Sequence, residues 1–239
     1  MYKPSRSLMT SVLVLLFLSP AIRVSTAHSE SMLLPSGSQT VKPLERFSSV
    51  ELRNGGKAIL RHGPIQRVTL LKGSLDYTQV TIANRDRLVI DKCRNKCPRG
   101  YELEVEIVAP DVAGISIADG GTVEVRGSFP RREEIRVAVS QGGAIDLRAM
   151  TVDSITASID QGGTIFAKPQ STMIASIRHG GQITYWGDAQ VRSSVRDGGV
   201  VSRGTADEAD KPLSDFDTSL QAVPPVPPVP PIQPNEDWF

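Results

Sequence analysis

Ile117-Ala-Asp-Gly-Gly-Thr-Val123, Val139-Ser-Gln-Gly-Gly-Ala-Ile145, Ile159-Asp-Gln-Gly-Gly-Thr-Ile165, Ile177-Arg-His-Gly-Gly-Gln-Ile183 and Val195-Arg-Asp-Gly-Gly-Val-Val201 are five copies of one pattern. Their first glycines are 22, 20, 18 and 18 residues apart. In every copy a β-branched aliphatic stands three residues before the first glycine and another two residues after the second. A near-fixed period of this length is the signature of a repeat architecture. The alternation continues outward. Ile115, Val137, Ala157, Ala175 and Ser193 stand two residues before the first set, and Val125, Leu147, Ala167, Tyr185 and Arg203 two after the second. The residues between are mostly polar. Alternation with period two, rich in Val and Ile, describes half-buried strands. Each unit therefore reads strand, Gly-Gly, strand, connector.

A glycine doublet between two strands has two foldings. It can turn an antiparallel hairpin, and a series of these makes a barrel or sandwich. It can also form a corner of a coil, where glycine permits positive φ and close backbone approach. The near-constant unit length, the matching residue types at equivalent positions and the absence of a helical pattern in the connectors favour the coil. The expected fold is all-β: a single-stranded parallel β-helix-like solenoid with short coils and Gly-Gly corners. In the last unit Ser193 and Arg203 replace aliphatics, as a polar terminal repeat would require.

Upstream the texture is similar but less regular. Phe47-Ser-Ser-Val-Glu-Leu52 leads to Gly55-Gly56 and Ala58-Ile-Leu60. Residues 68–70, 80–82, 88–90 and 101–107 are further short strands, with turns at Asn84-Arg-Asp86 and Ala109-Pro-Asp111. These strands are expected to start the stack and to cap it, because an uncovered first rung leaves unpaired backbone groups.

Outside the repeats the composition changes. Residues 1–27 read as a signal peptide: Lys3 and Arg6 precede an apolar run over 8–18, Pro20 ends it, and Ser25-Thr-Ala27 supplies small residues for cleavage. The run is about half the ~20 residues a membrane span needs. Residues 28–46 read as a flexible leader, 47–204 as the β-helix domain, and 205–239 as a disordered acidic, Pro-rich tail. Residues 1–27 carry three positive charges and residues 204–239 a net −6, which leaves +4 for the body of a chain of net charge +1. This is not the dense basic stripe of a nucleic-acid binder. Within the tail, Val223, Val226, Val229 and Ile232 recur every third residue among prolines, the period of a polyproline II arm. The arm serves either as a spacer or as a segment that docks in a groove of this protein or a partner, with Trp238-Phe239 as anchor.

An exported chain with two cysteines predicts a disulfide between Cys93 and Cys97, stapling the turn between two strands. The spacing is one residue longer than C-x-x-C, and two further zinc ligands are lacking nearby.

The residue before each doublet forms a column: Asp119, Gln141, Gln161, His179 and Asp197. Either these side chains form a hydrogen-bonded ladder that stabilises the corner, or they form a polar strip that binds a glycan or another extended polymer. Trp186 is the candidate for stacking on a sugar ring, against the alternative of ordinary packing at a connector.

The strand–Gly-Gly–strand units, the opening Phe47-Ser-Ser-Val50 and the Ala109-Pro-Asp111 turn together resemble the bacterial head-GIN domain family. That family is described as the head of an autotransporter adhesin and as a domain of unknown function. The resemblance runs from about Phe47 to Gly204. The bends differ from the family's usual Ser-Gly-Ser-Gly, reading for example Ser140-Gln-Gly-Gly143 here. The resemblance implies a right-handed β-helix-like fold in an exported protein of the periplasm or cell surface, and it carries over no catalytic residues.

The expectation is thus a non-enzymatic, adhesin-like binding protein. No catalytic residue, metal or cofactor is assigned, and the partner is a glycan or an envelope or surface protein. The alternatives are a structural envelope protein tethered through its Pro-rich tail, and a polysaccharide lyase or hydrolase. Against an enzyme, His28, His62 and His179 have no nucleophile partner by spacing, and Asp119 and Asp197 lie four coils apart, too far to act as a carboxylate pair.

Overall fold

The computed structural model describes residues 39–41, 45–93 and 96–213. The signal peptide, most of the leader and the Pro-rich segment expected from the sequence lie outside the described residues. All described residues fall in one unit, Pro35–Phe239.

In chain order the N-terminal strands are β1 (Gln39–Thr40), β2 (Ser49–Arg53), β3 (Lys57–His62), β4 (Arg67–Lys72), β5 (Gln79–Ala83), β6 (Arg87–Asp91) and β7 (Glu104–Ala109). The five repeat units follow as pairs. They are β8 (Gly114–Asp119) with β9 (Thr122–Arg126), β10 (Arg132–Gln141) with β11 (Ala144–Asp146), and β12 (Val152–Gln161) with β13 (Thr164–Ala167). Then come β14 (Pro169–His179) with β15 (Gln182–Tyr185), and β16 (Gln190–Val195) with β17 (Val200–Arg203). The described helix content is one 3-10 turn, Ala206–Glu208.

The strands form two open sheets, one of nine in the order β1-β4-β7-β3-β9-β11-β13-β15-β17 and one of eight in the order β16-β14-β12-β10-β8-β2-β6-β5. The two strands flanking each doublet belong to different sheets. A Gly-Gly pair is therefore a passage between sheets and not a hairpin turn. Within each sheet the repeat strands pair in parallel with their equivalents one unit away.

The register produces the aliphatic columns that the repeat implies. Ile117, Val139, Ile159, Ile177 and Val195 are successive partners in one sheet. Val123, Ile145, Ile165, Ile183 and Val201 are successive partners in the other. Leu52 and Ala58 extend the two columns toward the N-terminus, so Gly55-Gly56 is a sixth corner. Up to the fourth unit these side chains join one apolar cluster fed by both sheets, Val201 of the fifth packs against it, and Val195 stays exposed at the end. Each fully buried Ile or Val contributes roughly 1.5–3 kcal/mol. A β-branched residue suits these positions because its restricted χ1 matches an extended backbone.

The corner chemistry explains the doublet. Gly142 and Gly143 have φ of 70° and 104°. A Cβ at Gly142 would meet nothing, whereas one at Gly143 would lie 2.8 Å from the carbonyl oxygen of Gly121 in the preceding unit. The first glycine is required by its dihedral alone and the second also by stacking. The stacked carbonyl is in use, since Ala144 N donates to Gly121 O at 2.9 Å.

The sheets are mixed and not uniformly parallel. β1 pairs antiparallel with β4, β4 with β7, and β5 with β6. The β5–β6 hairpin turns through Asn84 and Arg85, at φ 51° and 74°, the positive-φ pair that a primed turn demands. These reversals cover the N-terminal rung. They also revise the leader: Gln39 and Thr40, expected to be flexible, pair with Leu70 and Thr69. The paired backbone of β4 offers an edge that an extended segment can satisfy regardless of its side chains.

Candidate functional site

The corner column is the feature the repeat builds on the surface. Parallel register makes Gln141 the partner of Asp119, Gln161 of Gln141, and His179 of Gln161. Neighbouring strands are about 4.8 Å apart, so adjacent members stand one strand spacing from each other. The backbone fixes them. Gly120 N donates to Gln141 O, Gly142 N to Gln161 O and Gly162 N to His179 O, at 2.9, 3.0 and 3.1 Å. The strand therefore keeps its ladder up to the corner, and the side chains project beyond it. All five residues, Asp197 included, are exposed.

Among the described residues no side-chain hydrogen bond links Asp119, Gln141 and Gln161. The ladder that holds the corner is made of backbone, and the amide and carboxylate groups keep their capacity for a ligand. Each Gln side chain offers two donors and an acceptor. The C-terminal part of the column is more strongly tied. His179 Nε2 lies 3.4 Å from Asp197 Oδ2, and its Nδ1 lies 3.8 Å from Asp160 Oδ1. Arg178 pairs with Asp160 at 2.9 Å.

The sequence reading missed one member. Asn54 precedes Gly55-Gly56 and occupies the equivalent corner, two residues beyond the Leu52–Ile117 pair. It has φ 59° and donates from Nδ2 to Asp91 Oδ1 at 2.7 Å. The signal was the doublet itself, whose distance from Gly120-Gly121 hides its membership because the β4–β7 excursion intervenes.

Trp186 is not available as a stacking platform. It is 4% exposed, and its Nε1 donates to Thr205 O at 2.8 Å. Its ring lies 6.0 Å from that of Phe166, itself 2% exposed. The Arg148 guanidinium carbon sits 5.3 Å from the Trp186 ring and 5.4 Å from the Phe166 ring, within cation–π range. Arg148 also forks onto Asp146, at 3.0 and 2.7 Å, and donates to Glu208 O and Ala209 O at 2.9 and 3.2 Å. Trp186 is thus part of a clasp that straps residues 205–209 onto the outer face of the nine-stranded sheet. An alternating pattern places it outward, but it cannot show that the chain folds back over it.

Arg148 belongs to a second repeated device. Glu51 and Arg53, Glu124 and Arg126, and Asp146 and Arg148 are two residues apart, hence on one face of a strand. Arg53 Nε lies 2.5 Å from Glu51 Oε1, and Arg126 Nε 2.7 Å from Glu124 Oε1. Burial pushes the Glu51 carboxyl up, but hydrogen bonds from Arg53 and Arg87 outweigh it and hold the group below its ordinary range. At Glu124 burial is likewise outweighed by Arg126 and Lys57. These pairs neutralise the charges of a partly covered face.

Cys93 and Cys97 are disulfide-bonded, as expected. Among the described residues no three His, Cys, Asp or Glu side chains gather as a metal-ligand set. A cleft of about 410 Å³ is lined by Pro110, Asp111 and residues 130–134, and a second of about 250 Å³ lies beside the Arg148 clasp. Arg132 pairs with Asp111 in the first, and Arg148 with Asp146 in the second. Among the described residues no helix is long and apolar enough to cross a membrane.

A family model described as "Putative auto-transporter adhesin, head GIN domain" matches residues 46–168, just over half of the chain. Among solved structures, a "putative adhesin" from Bacteroides fragilis is similar at 14% identity, covering 70% of this chain and 96% of that one, with a TM-score of 0.47. A "putative adhesin" from Parabacteroides merdae is similar at 13% identity, covering 70% and 95%, with a TM-score of 0.36. A "putative cell adhesion protein" from Clostridium sporogenes is similar at 12% identity, covering 70% and 98%, with a TM-score of 0.38. No curated protein matches.

Proposed function

Since the chain belongs to the head GIN domain family, we propose that it is an exported, non-enzymatic, adhesin-like protein that displays a repeating polar strip to an extended polymer. The polymer is a glycan or another component of the envelope. We read the two sheets as the two faces of a right-handed parallel β-helix-like solenoid, one strand of each per coil. The unit length of 18 to 22 residues and the one-unit parallel register support that reading. The chain acts at the cell surface or in the periplasm.

The single observation that carries the proposal is the exposed column Asp119, Gln141, Gln161, His179 and Asp197, its first four members in register and its first three without side-chain bonds to one another. A row of amides and carboxylates at a constant step is suited to hydroxyl-rich repeats, because each group can both orient and be satisfied by a polar partner. A polymer lying along the column makes several weak contacts at once, which raises its avidity without a deep pocket.

Glycan-array profiling and pull-down from envelope fractions test this on the chain of residues 28–239. The double substitution Gln141→Ala and Gln161→Ala, on exposed side chains, is expected to abolish the bound set while leaving unfolding unchanged. An unaltered profile would remove the corner column as the binding surface. Surface protease accessibility in fractionated cells distinguishes periplasm from cell surface.

A further inference from the structure

We propose that the C-terminal edge of the two sheets is a self-association surface that takes a second copy of this chain. β16 and β17 are the terminal strands of the two sheets, so both sheets end at one rung. Arg196 N donates back to Ile177 O, Val200 N to Gly181 O and Gly204 N to Tyr185 O. Backbone groups alternate sides along a strand. The amides and carbonyls of Val191, Ser193 and Val195 in β16, and of Val201 and Arg203 in β17, therefore face outward. Among the described residues nothing pairs with them.

Apolar surface lies beside this open edge. Val195 is 45% exposed, although its equivalent one rung back, Ile177, is 1% exposed. Val200 is 50% exposed, and Val191 and Val201 are half-buried. Residues 204–209 turn away from the edge. From Gly204 they double back over Trp186 and Arg148, which hold the carbonyls of Thr205, Glu208 and Ala209. At the opposite end of the stack the antiparallel strands β1, β4 and β5 finish the sheets.

A second copy fits for a reason of symmetry. A two-fold axis lays each edge strand antiparallel to its own copy, giving an isologous contact that satisfies both edges and covers both sets of valines. The contact is small. A six-residue strand is about 20 Å long and the sheets are about 10 Å apart, which with side chains gives a footprint of roughly 400 Å² per copy. That is about half of the ~800 Å² of a standard interface, so the association is concentration-dependent and not obligate.

Sedimentation equilibrium of residues 28–239, from micromolar to millimolar concentration, is expected to show a monomer–dimer equilibrium. Ser193→Pro removes an outward amide without touching the ladder to β14. It is expected to raise the dissociation constant at least about tenfold, because a two-fold contact loses the bond twice. Val195→Lys is expected to do the same, and it carries the test should the proline variant unfold. Ile65→Ser, at a loop residue that is 76% exposed, is expected to leave the dimer intact. A monomer at every concentration overturns the proposal, as does a dimer indifferent to both edge variants or dissolved by Ile65→Ser. Truncation after Leu213 adds a further outcome: a dimer that forms only in the truncated chain would show that the chain's own C-terminal segment occupies the edge.

Discussion

Replacing Gly142 and Gly143 by alanine, one at a time, separates the two demands made on a corner. At Gly142 the added methyl meets open space and the only cost is its dihedral, φ 70°. Left-handed backbone costs an L-residue about 1–2 kcal/mol, and alanine recovers about 0.4–1 kcal/mol by restricting the unfolded chain. The net loss is about 1 kcal/mol. At Gly143 the φ is 104°, and the methyl would stand 2.8 Å from Gly121 O and 3.0 Å from Ile117 Cγ2. Backbone strain there is worth about 1–3 kcal/mol. Pushing the preceding rung away adds roughly 1–3 kcal/mol of overpacking and about 1 kcal/mol for the lost bond from Ala144 N to Gly121 O. The sum is roughly 3–7 kcal/mol, comparable with the ~5–15 kcal/mol that holds a typical domain together. Urea unfolding followed by circular dichroism measures both variants. Equal losses, or a Gly143→Ala loss below about 1 kcal/mol, would refute the stacking argument. The same contrast is expected at Gly180 and Gly181, where the first methyl is again free and the second lies 3.1 Å from Gly163 O.

Two further outcomes follow from the outer faces of the sheets. Glu51 and Glu124 have folded-state pKa values held below the ordinary 4.5 by their arginine partners. Their contribution is fully present above that value and is lost as pH falls through the lower folded values. Stability should therefore decline below about pH 4.5, and Glu51→Gln should lower the neutral-pH stability while flattening that decline; a parallel acid profile for the variant would contradict the assignment. Arg148→Met leaves Asp146, which is 6% exposed, without its cation, a loss of about 3–5 kcal/mol for a buried pair broken on one side. It should also release the strap, seen as faster proteolysis within 205–213, and adding Asp146→Leu should restore most of the stability but not the protease resistance.

Much of the architecture is legible in the chain because a repeat advertises itself. The same residue types recur wherever identical environments stack, so Ile117, Val139, Ile159, Ile177 and Val195 identify an inward column before any coordinate is known. The alternation places the corner residues outside, and the doublets mark where the strand changes direction. The short Cys93–Cys97 spacing, in a chain read as exported, is equally local information. The candidate strip was legible for the same reason, since Asp119, Gln141, Gln161 and His179 share one position in the repeat. Asn54 was overlooked because its doublet is separated from the others by strands that do not obey the period.

The residue pattern by itself determined that strands form, which side of each is apolar and where each bends, because those depend on nearest neighbours along the chain and on the sterics of glycine. It did not determine which edges would be left over. Only the tertiary structure decided that β1, β4 and β5 reverse direction at one end, that Trp186 is covered by a returning segment, and that β16 and β17 finish both sheets on the same rung. Pairing partners distant in sequence are chosen by geometry and by the need of every buried amide for an acceptor, and a local pattern carries neither.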